Sequence, residues 1–277
     1  MRILRVELFK IFNRRRSYIG FIAVLALILL VSATFYYEGT ELFGFITQNL
    51  ETTFIFQGNI VNGNLLAYIV LKSLWVHFPI LIALVIGDLI SGEEESGTLR
   101  LILTRPVSRT ALVGAKFLSG FIYVIALVAF MAIVSISLGY LIFGPGDLLV
   151  LMGTLNIFPA DDVLWRFGLA YMFGALSMCT VAAFALFMSA VMKNSLAAIL
   201  GTIAILIVLN FISLFNVPFL SWTKPILFTT YMSSWESFFD YNLSVAQVVK
   251  DGAILISYIL IFYSATVYYF NRKDVLS

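Results

Sequence analysis

The chain has 277 residues, of which 61% are hydrophobic and only 12% are charged, and its mean hydropathy is +1.02. Soluble domains use about 25% charged residues to cover their surface, so this composition excludes an ordinary soluble protein and predicts a polytopic membrane protein. The net charge of +2 gives no support for a nucleic-acid partner. A single cysteine, Cys179, and a single histidine, His77, exclude an internal disulfide, multi-cysteine zinc sites and paired-histidine metal motifs.

Apolar stretches long enough to cross a bilayer, which takes about 20 residues, recur along the chain. We expect six spans, at residues 18–37, 65–87, 117–143, 167–192, 195–217 and 252–270. The first stretch is longer than the core of a signal peptide, about 7–15 residues, and no small-residue cleavage site follows it. It is therefore predicted to remain as a membrane anchor. The predicted fold class is an all-α membrane protein in which residues 1–277 form a single transmembrane domain.

Lysine and arginine are distributed unequally between the loops, and this predicts the orientation. Only Arg166, Lys224 and Lys250 fall in loops on one side, where most of the acidic loop residues lie, and Lys72 lies within a span. Both termini are expected in the cytoplasm, and the even number of spans agrees. The basic residues predicted on the cytoplasmic side are Arg2, Arg5, Lys10, Arg14, Arg15, Arg16, Arg100, Arg105, Arg109, Lys116, Lys193, Arg272 and Lys273.

Residues 1–16 form a basic segment before the first span. Leu4, Leu8 and Ile11 share a stripe at helical spacing, although the apolar face is incomplete. Two interpretations are compatible and remain open. The segment is a topology signal, or it is an interfacial helix that lies on the inner leaflet as an elbow.

The loop at residues 88–116 is the longest one expected on the cytoplasmic side. Its residues 92–104 are predicted to form a short helix, with acidic side chains in the first turns and basic ones later, as the helix dipole prefers. Leu99, Ile102 and Leu103 form an apolar stripe that could dock on a partner or on the membrane. The alternative, favoured by the residues alone, is a solvated charged loop between two spans.

Part of this loop resembles a known family. The pattern E-x-x-x-G-T-L-x-x-x-L-x-x-P-V-S-R, followed by Lys116, is similar to the cytoplasmic loop of ABC-2-type ABC transporter permeases. The six spans, the basic N-terminal segment and the Phe-Asn-Arg-Lys-Asp ending also resemble that family. The resemblance implies a coupling helix that docks into a cleft of a separate ATP-hydrolysing subunit. It assigns coupling to Glu93, Glu94, Glu95, Gly97, Thr98, Leu99, Arg100, Leu103, Pro106 and Arg109.

The resemblance also implies an assembly. Two ATPase subunits and a second permease copy, identical or a paralogue, are expected around this chain, together with membrane lipid. No Gly-x-x-x-x-Gly-Lys-Ser/Thr loop occurs in the sequence, so ATP and Mg²⁺ are expected on the partner subunit and no cofactor on this chain. The chain is thus expected not to be an enzyme itself. The expected location is the inner membrane of a bacterium, and the expected function is ATP-driven export.

The second span contains two ionisable residues, Lys72 and His77. Ionisable residues inside a membrane are often functional. A snorkelling lysine and a packed, neutral histidine are favoured, and a pair lining the substrate pathway is the alternative. They are five residues apart, about 140° around a helix, so they do not share a face. Pro79 follows at once and predicts a kink.

Two further regions carry predictions. Ala170-x-x-x-Gly174 and Ala185-x-x-x-Ser189 in the fourth span allow close helix contact, within the chain or, less favoured, in a dimer face. Residues 218–251 mix aromatic and charged side chains, and are expected to form short interfacial or re-entrant helices. The resemblance implies that this region caps the outer end of the translocation path.

Two alternatives to an ABC permease remain open. An autonomous secondary transporter or channel is the first, although the spans offer few charges for ion coupling and show no internal repeat. A membrane-anchored enzyme or scaffold is the second, and the lack of a catalytic constellation disfavours it.

Overall fold

The computed structural model describes residues 2–47, 61–104, 107–151, 155–214 and 218–273. Within these ranges the chain is mostly helical. Its α-helices are α1 (Arg2–Asn13), α2 (Arg15–Thr47), α3 (Gly63–Trp75), α4 (Phe78–Ile86), α5 (Ser91–Glu95), α6 (Thr98–Leu103), α7 (Arg109–Phe143), α8 (Ala160–Val191), α9 (Ser195–Leu214), α10 (Phe228–Met232) and α11 (Val245–Arg272).

The long helices account for the predicted spans. Five of them, in α2, α7, α8, α9 and α11, are long and apolar enough to cross a membrane, and a sixth span results if one bent pair is counted. This pair joins residues 63–73 to residues 78–95 at an angle of 53°. The bend falls where Pro79 enters, because a proline ring removes a backbone hydrogen bond and blocks the preceding turn.

Several observed helices are longer than the predicted spans. Helix α7 begins at Arg109 rather than at 117, and α11 at Val245 rather than at 252. The prediction followed uncharged runs, whereas a helix continues into water as long as its residues favour helical backbone. Ser108 starts α7 in this way, since its side chain accepts a hydrogen bond from the backbone N–H of Ala111 at 3.2 Å.

The region between α7 and α8 corrects the all-α prediction. Strands β1 (Leu148–Leu151) and β2 (Leu155–Phe158) pair in antiparallel register, with Leu148 opposite Phe158. Short strands of this kind carry no span signal and were not predicted. Between α9 and α11, two 3-10 helices, at Pro218–Ile226 and Ser233–Phe239, flank α10. These are short helices as expected, and a re-entrant path stays a prediction.

Helix α8 is the centre of the bundle. Of the residues in its most apolar stretch, 78% are buried, against 28% in α2 and 17% in α11. The small residues predicted to allow close contact, Ala170, Gly174, Ala185 and Ser189, are all buried inside the chain. A β-carbon on Gly174 would lie 2.9 Å from the ring of Trp75. Packing within the chain therefore accounts for these positions.

The two ends of the bundle differ in chemistry. At one end α1, α5, α6, the start of α7 and the end of α11 come together, and we call this the charged end. The hairpin and the 3-10 helix at Ser233–Phe239 lie at the other end, where Asn156 donates a hydrogen bond to the carbonyl of Phe239 at 3.3 Å. We call this the hairpin end. Helix α7 runs between them and is about 50 Å long.

Candidate functional site

Four charged side chains form a closed ring at the charged end. Lys10 Nζ lies 2.7 Å from Glu7 Oε1 and 2.8 Å from Glu93 Oε1. Lys116 Nζ lies 2.9 Å from Glu7 Oε2 and 2.7 Å from Glu93 Oε2, and it donates to the carbonyl of Leu89 at 2.8 Å. Each carboxylate therefore bridges both ammonium groups. This charge ring (Glu7, Lys10, Glu93 and Lys116) ties α1 and α7 to α5.

The charge ring is largely withdrawn from solvent. Glu7, Glu93 and Lys116 are 2%, 3% and 1% exposed. Burial lowers the pKa of Lys10, but the hydrogen bonds and charges of Glu7 and Glu93 outweigh it and raise the pKa above 10.5. Lys10 consequently stays protonated at neutral pH. Because the charges alternate around the ring, each charged group has two partners of opposite charge. Such pairing offsets the free-energy cost of burying ions in a medium of low dielectric constant.

A second ionic contact joins Asp88, at the start of the loop at residues 88–116, to the beginning of the first span. Asp88 Oδ2 lies 2.7 Å from Arg14 Nη1, and its Oδ1 lies 3.4 Å from Arg16 Nη1. Asp88 also accepts a hydrogen bond from the hydroxyl of Ser195, the first residue of α9. A β-carbon at Gly92 would lie 2.2 Å from Asp88 Oδ1, so a larger residue there would displace the Asp88 carboxylate from these partners.

Glu94 and Glu95, which follow Glu93 in α5, bind two further elements. Glu94 Oε2 lies 2.5 Å from Lys273 Nζ at the end of α11, and Lys273 also donates to the carbonyl of Ala190 at 2.8 Å. Glu95 Oε2 accepts the backbone N–H of Ser195 at 2.9 Å. This carboxylate thus satisfies one of the free N–H groups at the start of α9.

Arg109 connects two further helices at the charged end. Its Nη1 lies 3.0 Å from the carbonyl of Phe270, 3.2 Å from that of Asn271 and 2.9 Å from that of Lys273. These are carbonyls at the C-terminus of α11, where a cation is favoured by the helix dipole. Arg109 therefore fastens the start of α7 to the end of α11.

The helix expected over 92–104 is in fact two short helices, α5 and α6. Gly97 separates them with φ of +70°, the left-handed conformation that glycine adopts without steric cost. Thr98 Oγ1 donates back to the carbonyl of Glu93 at 3.2 Å and fixes the turn. The single helix expected over 92–104 is therefore incorrect: α5 and α6 are separate helices joined by a turn at Gly97.

The apolar stripe expected to dock outside the chain points inward instead. Leu99 is fully buried, and Ile102 and Leu103 are half-buried against the core. The large apolar side chain that α6 exposes is Leu101, at 68%. The stripe was assigned without knowing which face the bundle covers. Thr98, Arg100 and Thr104 share the exposed surface, whereas Pro106 lies outside the described residues.

A cavity of about 600 Å³ lies between α1 and α6. Its walls are mostly apolar, and Glu7, Lys10 and Glu93 of the charge ring contribute to its lining. Leu101 borders it from α6 and Val6 from α1. The exposed face of α6 is thus continuous with a recess at the charged end.

The two residues considered for a substrate pathway lie near the bend of the second span, not together. Lys72 is exposed, with Nζ 6.0 Å from the centre of the Tyr68 ring. His77 is in the turn between α3 and α4, where Nδ1 lies 2.9 Å from the carbonyl of Ser73. It is exposed within this chain, and its packing in the membrane stays a prediction.

A second groove, of about 430 Å³, lies beside the bend. Trp75, Pro79 and Ile80 line it from the broken span, and Leu206 and Asn210 from α9. Its surface is almost wholly apolar, and Asn210 brings an amide side chain to the lining. Such a groove suits an apolar or amphipathic molecule.

Sequence reasoning missed three charged residues of the charged end, Glu7, Lys10 and Asp88, as members of a site. One signal was available: Glu7 lies three residues after Leu4 and four before Ile11, within the apolar stripe of α1. An acid at a buried stripe position requires a buried cation. Which cation it finds could not be read from the sequence, because Lys116 is 109 residues away.

Comparisons with known proteins agree with this architecture. The sequence pattern of the ABC-2 family transporter proteins matches residues 3–275. A Bacillus subtilis (strain 168) protein, the uncharacterised YhcI, is 26% identical over 185 residues, which is 65% of this chain and 53% of that protein. The chain thus spans about half the length of the curated relative it matches.

Proposed function

The chain belongs to the ABC-2 family of transporter proteins, the transmembrane components of ABC transporters, and from this premise we propose that it is the permease of an ATP-driven exporter. In this proposal it works with a separate ABC ATPase, present in two copies, and with a second permease copy. ATP and Mg²⁺ are used on the ATPase. The bacterial inner membrane is the proposed location, with both termini and α1, as an interfacial elbow, on the cytoplasmic side.

One observation carries the proposal: the exposed face of α6 stands out at the charged end. Leu101 is 68% exposed on a segment whose neighbour α5 is bonded into the bundle. Arg100 and Thr104 surround this leucine with polar groups. An apolar side chain with a polar rim is the usual composition of a docking surface. The ATPase contact is therefore assigned to α6 rather than to the three glutamates.

The groove beside the bend is proposed as this chain's half of the transport path. Trp75 and Pro79 line it at the break of the second span, and Leu206 and Asn210 line it from α9. Two copies that face each other would enclose an apolar path with few polar groups. An amphipathic or lipid-like cargo fits that lining. Lys72 and His77 do not line the groove, so no role in the path is proposed for them.

The experiment is a tagged purification from the native host in mild detergent, with identification of subunits and an ATPase assay. Leu101→Asp is the test variant, because the side chain is exposed and its loss leaves the core intact. Leu99→Asp would not serve, since Leu99 is fully buried and a charge there would unfold α6. Leu196→Asp is the matched control, a leucine 66% exposed in the first turn of α9, where an acid is favoured.

We expect an ABC ATPase to co-purify with the parent and with Leu196→Asp, and to be lost from Leu101→Asp. Binding in all three would refute the assignment of α6 as the docking surface. Loss in both variants would refute it as well, since a general effect of added charge would then explain the result. A parent that purifies alone and transports solute in liposomes without ATP would replace the proposal with a secondary transporter.

A further inference from the structure

Helix α5 contacts several of the long helices at the charged end. It follows the second span directly, and the backbone N–H groups of Ile90 and Ser91 just before and at its start both donate to the Ser189 hydroxyl of α8 at 3.0 Å. Three consecutive glutamates, Glu93 to Glu95, complete it. Consecutive residues of a helix point about 100° apart, so three in a row face three different neighbours.

The three glutamates contact different helices of the bundle. Glu93 binds Lys10 of α1 and Lys116 of α7, Glu94 binds Lys273 at the end of α11, and Glu95 binds the start of α9. Since α1 leads into α2, and Lys273 also contacts the last turn of α8, α5 is connected to every predicted span. We call α5 with these three carboxylates the α5 clamp.

The contacts of the α5 clamp constrain direction as well as distance. An ion pair between buried groups in hydrogen-bond geometry holds its partners at one relative position, and leaving one charge unpaired is costly. The side chains of Glu94 and Lys273 are 16% and 6% exposed. A displacement of α5 therefore moves the ends of these helices with it rather than sliding past them.

We propose that the α5 clamp is the element that distributes a displacement of α6 to the transmembrane helices, with Glu94 and Lys273 as positioning residues for this step. Gly97 is the joint at which α6 delivers the displacement to α5. The inference deepens the proposed function and rests on it, because the displacement is supplied by the ATPase. In this inference the three glutamates contact the chain's own helices, whereas the resemblance assigned them to contact with the ATPase.

The test measures a nucleotide-dependent change at the hairpin end, far from the charged end. Tyr241 is 76% exposed there and is replaced by cysteine in a Cys179→Ala background. The full permease, isolated with its ATPase in lipid nanodiscs, is labelled with a maleimide, without nucleotide and after trapping with ATP and vanadate. Couplings between sites usually correspond to roughly fivefold or more, so the parent should change its labelling rate by at least about fivefold.

Glu94→Gln should keep the ATPase bound and hydrolysing ATP, yet reduce the change in labelling rate to less than about twofold. Asp161→Asn, which removes an exposed acid elsewhere, is the matched control and should behave as the parent. Lys273→Arg keeps a cation for Glu94 and a donor for the carbonyl of Ala190 and should retain the response, whereas Lys273→Met should reduce it as Glu94→Gln does. Retention of the response by the conservative variant separates a positioning role from a general loss of structure.

The outcomes separate the two proposals. A full response in Glu94→Gln or in Lys273→Met overturns the α5 clamp and leaves the permease assignment intact. A parent with no ATPase and no response to nucleotide overturns the proposed function, and the clamp with it. A response lost in Glu94→Gln and in Lys273→Met and retained in Lys273→Arg supports both.

Discussion

The most direct test of the charge ring is the replacement Lys116→Met, which keeps the length of the side chain and removes its charge. Lys116 is 1% exposed and neutralises two carboxylates that are themselves buried, those of Glu7 and Glu93. After the change only Lys10 remains for both. Removing one partner of a buried ion pair costs about 3–5 kcal/mol, and the carbonyl of Leu89 loses its donor too, so a cost near 5 kcal/mol is expected.

Thermal unfolding of the purified protein measures this cost. For a chain of this size 1 kcal/mol lowers the midpoint by about 2–4 °C, so the decrease should be on the order of 10 °C at a fixed scan rate. The matched control is Lys193→Met, an exposed lysine in the turn between α8 and α9, which should change stability by less than about 0.5 kcal/mol.

The variant should also acquire a pH dependence of known sign. With one cation for two carboxylates, a carboxyl of the ring has its pKa raised above the unfolded value. Its protonated form is then favoured in the folded state, so the loss of stability grows as the pH rises through the raised pKa and shrinks at acidic pH. Glu93→Gln added to Lys116→Met should recover part of the loss, since it removes the surplus charge. Equal midpoints for Lys116→Met and Lys193→Met would refute the buried ring.

Two further predictions concern the turn before α6 and the buried hydroxyl groups of Tyr68 and Tyr171. Gly97→Ala should lower the free energy of unfolding by about 1–2 kcal/mol, and the left-handed backbone alone accounts for this cost because no atom lies within 4 Å of the added carbon. Gly97→Asn should cost less. Thermal midpoints compare the two variants, and equal values would contradict the backbone explanation. Tyr68→Phe should leave stability unchanged, because within the described residues the buried hydroxyl of Tyr68 has no hydrogen-bond partner. Tyr171→Phe should cost about 0.5–1.5 kcal/mol, since that hydroxyl lies 2.9 Å from the hydroxyl of Ser135; the reverse order of the two midpoints would contradict the assignment.

The spans could be predicted because a bilayer imposes one simple requirement, a sustained apolar run. The bend at Pro79 could be predicted as well, since it depends on the proline's own covalent structure. The limits of α7 and α11 could not be predicted from uncharged runs, because both helices extend beyond them. The hairpin at Leu148–Phe158 was missed because two short strands outside the spans leave no hydropathy signal.

The contacts made by the acidic segment could not be predicted from the sequence. The acidic segment of the loop was singled out as a coupling element, yet its partners within the chain lie 23 to 179 residues away in the sequence. Local spacing contains no information on contacts of that range. The inward orientation of Leu99 and outward orientation of Leu101 depend in the same way on which face of a six-residue helix the bundle covers.

The stability of the charged end does not by itself explain its charges. Buried ion pairs can often be replaced by apolar side chains without loss of stability, so a bundle of this composition could have closed this end with leucine. Apolar contacts between helices tolerate sliding, whereas the charge ring and the pair of Glu94 with Lys273 fix relative positions. In the proposed mechanism a displacement at one end becomes a rearrangement about 50 Å away, which needs that constraint at the receiving end and freedom elsewhere. In this proposal the bend near Pro79 and the turn at Gly97 supply the freedom, and α5 supplies the constraint.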